Sequence, residues 1–400
     1  MMNKIYFLLA YSLFFFGMLV SGAEQIWIDG VRVDYLPSWL SSISVKARWG
    51  VMILTSLIVI VKFPAYRRYF NICQWRYVLF YAVLFFFSLC TGDMVRYSGL
   101  FCFTIAIPLF FAAFIDRIGQ REFFKGSYLV VIAVTLIGLY CSVTVKGLSL
   151  RYTGWVGNPN MFVALNIFFI VLVLNTVMRH IFSPFLVYPL LFFLILAQLS
   201  AGSRNGLISL ALVFSVFLYM QKRNLTKIVF YVILLGTAVM LFTLFGPEDS
   251  TRIWQIKSAI EDSGRGDLWS VIWPYIQEKP LLGWGCVGKQ LIGMDQNFHN
   301  SFLVLLFFTG IPIGSFLIGL FAYASFRSPI VSNPDEEDRN TSMLFGAYLI
   351  GYTLCSFGED FLIGVGNPTF IQFLFSIGVL LQIHAKQHRI QYWPEHYEYE

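Results

Sequence analysis

Twelve apolar stretches, most of them roughly 16 to 24 residues long and separated by short polar or basic punctuation, constrain this chain more than any single motif. A helix needs about 20 such residues to cross the hydrocarbon of a bilayer, and the stretches fall near 5–22, 47–63, 77–91, 98–115, 127–145, 161–178, 184–200, 205–220, 228–246, 300–325, 342–357 and 368–385. The chain is 58% hydrophobic and 12% charged, about half the charge of an ordinary soluble domain. Short alternating strands, the mark of a transmembrane barrel, do not occur in the pattern. The expectation is an all-α integral membrane protein with about 12 transmembrane helices, forming a single polytopic membrane domain over residues 1–400. The first span also has the shape of a signal peptide, with Lys4 in front and Ser21 and Ala23 before Glu24, and it is expected to be retained as a span.

The basic residues set the orientation. With both termini in the cytoplasm, Lys62, Arg67, Arg68, Arg76, Arg117, Arg121, Lys125, Arg179, Arg327 and Lys386 fall in inner connections, as the positive-inside rule requires. The net charge of +6 therefore reports orientation and contact with membrane lipids; no nucleic acid partner is expected. The six cysteines show no metal or redox spacing, and most read as small apolar fillers.

One connection stands apart. Residues 247–299 form a long loop on the outer side, far longer than a usual link and therefore a candidate for function. Within it, "STRIWQIKSAIED" and "GDLWSVIWPYIQE" read as short amphipathic helices with tryptophans suited to the membrane interface. The glycines of "LLGWGCVG" mark the turn back to the bilayer.

Several polar residues on this outer side are candidates for chemistry. Arg204, in "SAGSRNGLISL", lies just inside the outer end of two nearly continuous apolar spans, where a guanidinium must snorkel or pair. Its fork of donors suits phosphate oxygens. Arg265, in "DSGRGDLW", stands ahead of an expected helix whose N-terminus also favours an anion; a surface ion pair with Asp262 or Asp267 is the plainer alternative. Arg252 reads best as a solvated residue, with anion contact as its functional alternative. His299, in "QNFHNS", is either part of a helix cap or a base able to take a proton from a hydroxyl, and Asn300 is a natural cap. Glu359 and Asp360 form a carboxylate pair at the mouth of another span. The "GNPN" turn reads as a helix start, with Asn160 as a polar contact. No Walker motif, metal-ligand cluster or dinucleotide fingerprint occurs, so no cofactor is expected.

At these residues the chain resembles the O-antigen ligase (WaaL) and O-antigen polymerase (Wzy) superfamily of lipid-linked glycan transferases. The resemblance rests on the arginine of "SAGSRNGLISL", the "GRGDLW" and "KPLLGWG" of the long loop, and "HNSFLVLLFFTGIPIG". In that last stretch His299, Asn300 and Gly310 follow the ligase spacing, and Gly314 falls one place beyond the small residue that would sit at Ile313. The resemblance implies a GT-C-like helical fold and an inverting, metal-independent transfer at the periplasmic face of the bacterial inner membrane. Arg204 and Arg265 would bind the diphosphate of an undecaprenyl-diphosphate-linked glycan donor, and His299 would assist the acceptor hydroxyl. Asp360 would match a carboxylate near the C-terminus; Asn300 and Arg252 are further candidate substrate contacts. The acceptor would be lipid A-core for a ligase or another lipid-linked glycan for a polymerase, and the ligase spacing favours the former. A protein-directed oligosaccharyltransferase is a lesser alternative. A transporter of lipid-linked sugars would need charges near mid-membrane on broken helices, whereas here the charges gather at one face.

Overall fold

The computed structural model describes residues 2–19, 26–28, 31–33, 36–145, 152–156, 158–220, 265–293, 298–331, 334–364 and 366–392. Helices α1 (Met2–Met18), α2 (Ser38–Val61), the one-turn α3 (Phe63–Tyr66), α4 (Ile72–Thr91), α5 (Met94–Ile118), α6 (Gln120–Val145), α7 (Pro159–Met178), α8 (Pro184–Ser200) and α9 (Arg204–Met220) come first. After them come α10 (Arg265–Glu278), the short α11 (Gly288–Leu291), α12 (Ser301–Arg327), α13 (Glu336–Cys355) and α14 (Pro368–Tyr392). Eleven of the expected spans thus coincide with helices, and the ninth, 228–246, lies outside the described residues. Among the described residues, seven helices are long and apolar enough to cross a membrane. The apolar helices of α1, α8 and α9 are shorter, and α13 opens on Glu336, Glu337, Asp338 and Arg339, which dilutes its hydropathy. Strands β1 (Ile26–Ile28) and β2 (Val31–Val33) pair antiparallel, a small addition to an otherwise helical set of described elements.

Burial separates central helices from peripheral ones. The apolar windows of α5, α7 and α14 are 72%, 83% and 89% buried, whereas that of α2 is 33% buried. Residues such as Leu57, Ile60, Phe86, Leu136 and Phe316 are exposed, which would be costly in water and is natural against lipid. Phe375 of α14 is the hub of the core, its ring centroid 4.9 to 5.2 Å from those of Phe14, Phe111, Phe123 and Phe168, so α1, α5, α6 and α7 meet on one side chain.

In hydrocarbon every backbone polar group needs a protein partner, so prolines inside helices leave readable traces. Pro108 in α5 cannot donate to the carbonyl of Thr104, and the side-chain amide of Gln74 does so instead, at 3.0 Å. The break in α12 is larger. Gly310 has φ 79° and ψ 171°, and Pro312 lacks the N–H that Phe308 would accept. The returning chain fills both gaps: Trp284 N–H donates to Phe307 O (2.8 Å), Gly285 N–H to Phe308 O (2.9 Å), and Ile311 N–H to Pro280 O (2.7 Å). A Cβ on Gly310 would stand 2.4 Å from Leu281 O, and one on Gly283, also left-handed, 2.5 Å from Phe308 O. The "LLGWG" turn thus inserts backbone against backbone into a broken membrane helix. A broken helix was a mark of the transporter alternative, but here the gap holds main chain and no charged side chain.

Candidate functional site

His299 sits two residues ahead of α12 with a left-handed backbone, φ 48°, a conformation that persists only where the surroundings enforce it. Those surroundings are specific. On one side Phe298 O accepts from Trp269 Nε1 of α10 at 3.2 Å. On the other, Asn300 N–H donates to Asp360 Oδ1 (3.0 Å), and the Asn300 side chain accepts from Phe302 N–H (2.9 Å) and Leu303 N–H (3.1 Å). Asn300 is therefore the cap of α12, and His299 is not. Ser301 continues the tether, its hydroxyl donating to Glu359 O at 2.8 Å and accepting from Leu362 N–H at 3.3 Å.

The imidazole is held by a carboxylate. His299 Nδ1 lies 3.2 Å from Glu359 Oε2, while Glu359 Oε1 accepts from Asn160 Nδ2 at 2.8 Å. Asn160 is placed by the "GNPN" start of α7, where Asn158 caps the Asn160 and Met161 amides and Pro159 fills the first turn. Glu359 is nearly buried, with 10% of its side chain exposed against 35% for His299, so the carboxylate works as an orienting group behind a more accessible ring. With the carboxylate accepting, Nδ1 carries the proton of the neutral ring and base chemistry falls to Nε2.

Beside this pair lies a cavity of about 410 Å³, whose walls include His299, Glu359, Asp360, Lys289, Arg96 and Asp93. Lys289 Nζ is 4.0 Å from Asp360 Oδ2 and lies over the Phe298 ring, 4.1 Å from its centroid. Burial pushes the Asp360 carboxyl up, against the pull of Lys289 and the Asn300 amide, and burial likewise pushes the Lys289 ammonium down, against the pull of Asp360. Arg96 donates from Nε and Nη2 to Ile363 O at 2.9 and 2.7 Å, with Nη1 3.7 Å from Asp93 Oδ2, which pins the start of α5 to the loop before α14. Cations, carboxylates and a carboxylate-held imidazole thus share one cavity, the equipment needed to hold an anionic group and take a proton beside it.

Arg204 and Arg265 are described through their backbones, and each is the first residue of its helix. The first turns of α9 rest on the end of α13, with Asn205 O 3.8 Å and Ser209 Oγ 3.3 Å from Cys355 Sγ, so Arg204 starts at the end of the bundle that carries Glu359. Arg265 opens the helix whose Trp269 holds Phe298. Arg252 and the "STRIWQIKSAIED" segment lie outside the described residues, whereas "GDLWSVIWPYIQE" is helical within α10. Lys289 and Arg96 were missed as site residues, and of the two adjacent carboxylates it is Glu359, not Asp360, that meets the imidazole.

A family model described as O-antigen ligase matches residues 189–318. That match supports a likeness of this segment to the O-antigen ligase and polymerase superfamily. No curated protein compared with the chain matches it. The O-antigen ligase segment runs from within α8 into α12 and contains Arg204, Arg265, Lys289, His299 and Asn300. Arg96, Glu359 and Asp360 reach the cavity from outside it, and Asn160, also outside it, bonds the Glu359 carboxylate. Members of the superfamily are glycosyltransferase-like enzymes.

Proposed function

We propose that this protein transfers a polysaccharide from undecaprenyl diphosphate to lipid A-core, the ligase reaction, at the periplasmic face of a bacterial inner membrane. The observation that carries the reading is the His299–Glu359 pair at a cavity also lined by Lys289 and Arg96, in a chain with an O-antigen ligase match. His299 Nε2 takes the proton of an acceptor hydroxyl as its oxygen attacks the anomeric carbon of the donor from the face opposite the diphosphate. The bond from that carbon to the diphosphate oxygen breaks, its electron pair leaves with undecaprenyl diphosphate, and the anomeric configuration inverts. The developing negative charge falls to cations, with Arg204 and Arg265 in the diphosphate role and Lys289 and Arg96 as cavity cations. Asp360 and Asn300 act by position, fixing the backbone on either side of His299. Residues 247–299 serve as a periplasmic loop that shields the anomeric carbon from water, with Trp269 joining its helix to the His299 segment.

The test incubates purified protein with an undecaprenyl-diphosphate glycan and either lipid A-core or excess lipid-linked repeat unit. Product on the core supports the ligase reading. A ladder of longer lipid-linked chains assigns the same machinery to polymerisation, and no transfer to either acceptor overturns both.

A further inference from the structure

At the opposite end of the bundle from His299 lies a second cavity, of about 490 Å³, which the proposed transfer does not use. Its walls carry Arg68, Arg76, Arg327, His384 and His388, and among the described residues no carboxylate lines it. Arg68 is shared with Asp116 at 3.4 Å, and Arg76 lies over the Tyr323 ring, its guanidinium carbon 4.8 Å from the centroid. Neither Arg76 nor Arg327 makes an ion pair among the described residues. Asn71, also in the wall, caps the Gln74 amide at 3.2 Å, so the positive end of the α4 dipole faces the same space. Orientation in the membrane explains the presence of arginines at this end, but not a concavity between them whose wall, among the described residues, carries no carboxylate. Next to it Trp75, Tyr323, Phe326 and Ile330 are exposed, an apolar flank of the kind that faces acyl chains.

We propose that this cavity binds the phosphate of an anionic phospholipid, with Arg76 and Arg327 as its main cationic contacts and the acyl chains lying along the Trp75–Tyr323–Phe326 flank. Guanidinium forks match phosphate oxygens in geometry as well as charge, and basic recesses between membrane helices are suited to such headgroups.

The experiment measures retention of phosphatidylglycerol and phosphatidylcholine of the same chain length by the purified full chain, using native mass spectrometry, and repeats it with millimolar inorganic phosphate as competitor. Wild type should retain phosphatidylglycerol and not phosphatidylcholine. Arg76→Gln with Arg327→Gln should weaken that retention about thirtyfold, from the loss of two basic residues near a headgroup. Because that variant also removes charges that set orientation, Arg76→Lys with Arg327→Lys is measured beside it; it keeps the charges, loses the forks, and should fall between the two. Displacement by inorganic phosphate would support the phosphate chemistry and assign its source to a soluble ligand, whereas resistance assigns it to lipid. Equal retention of the two lipids, or unchanged retention in the glutamine variant, overturns the proposal.

Discussion

Two charged clusters at opposite ends of this bundle use their charges in opposite ways. At one end Arg179 donates to Glu337 (2.8 Å), to the Thr341 hydroxyl (2.8 Å) and to Gln120 Oε1. Gln120 in turn donates to Asp338 (2.8 Å) and Gln382 (2.6 Å), and Lys386 bridges Asp335 and Asp338, each at 2.8 Å. The network closes on itself and ties α6, α7, α13 and α14 together. At the other end His299, Glu359, Asp360, Lys289 and Arg96 are spread round a cavity, with Lys289 and Asp360 at a loose 4.0 Å. Charges that only hold helices together can close up on one another, whereas charges meant for a substrate must stand off around space.

Substitutions at each end should separate these roles. The largest effect is expected from His299→Ala, which should cut glycan transfer by roughly 10²- to 10⁴-fold, the usual share of a positioned base, with little change in the melting temperature. Near-normal turnover would remove His299 from the chemistry. Arg179→Gln should do the reverse, lowering stability by about 3 kcal/mol because Asp338 is left buried without its full set of partners, while turnover per folded molecule survives. A transfer defect at permissive temperature would erase the distinction between the ends. Glu359→Gln should lower transfer by roughly 10- to 100-fold, the usual cost of losing the group that orients a histidine, and should alter the pH–rate profile. If it changes melting alone, Glu359 is a structural residue.

The smallest and most discriminating effect is in the pH dependence of melting. Asp335 is held below the usual carboxylate range: burial opposes this, but the Lys386 bond and charge outweigh it. Its stabilisation is full above the unfolded pKa and is lost as pH falls through the lower folded value. Asp360 is pushed up by burial, so the folded state takes up a proton before the unfolded chain does, and acidification through its folded pKa adds stability. Comparing pH–melting curves, Asp335→Asn should flatten the acid limb below about pH 4 and Asp360→Asn the limb above it. The same change in both variants would mean that the ends do not differ electrostatically.

Much of the fold was legible because its signals are local. Apolar run length marked the helices, and "GNPN" and "HNS" marked the starts of α7 and α12, where Asn158 and Asn300 cap the first turns. His299, Asn160 and the adjacent carboxylates stood out because polar residues at the lip of an apolar run need a reason. Lys289 and Arg96 did not, since a lysine in a long loop and an arginine in a short one are ordinary by themselves. Only packing of α5, α11 and the loop before α14 brings them to one cavity. The choice between Glu359 and Asp360 was equally closed to sequence, because neighbours in an irregular loop point apart in a direction set by Ser301 and Asn300. The ion pairs of Arg179 were hidden for the same reason, and its basic loop read as orientation alone.

The break in α12 also decides how this molecule can be recombined. Residues 280–285 and the chain around Gly310 are matched parts, each supplying the main-chain partners the other lacks, with Trp284 stacked on Phe307 beside them. A chimaera that took this loop from one relative and its following helix from another would join two halves of a lock cut separately. Exchange points therefore belong upstream of Lys279 and downstream of Gly314, and the stretch between them travels as one heritable unit.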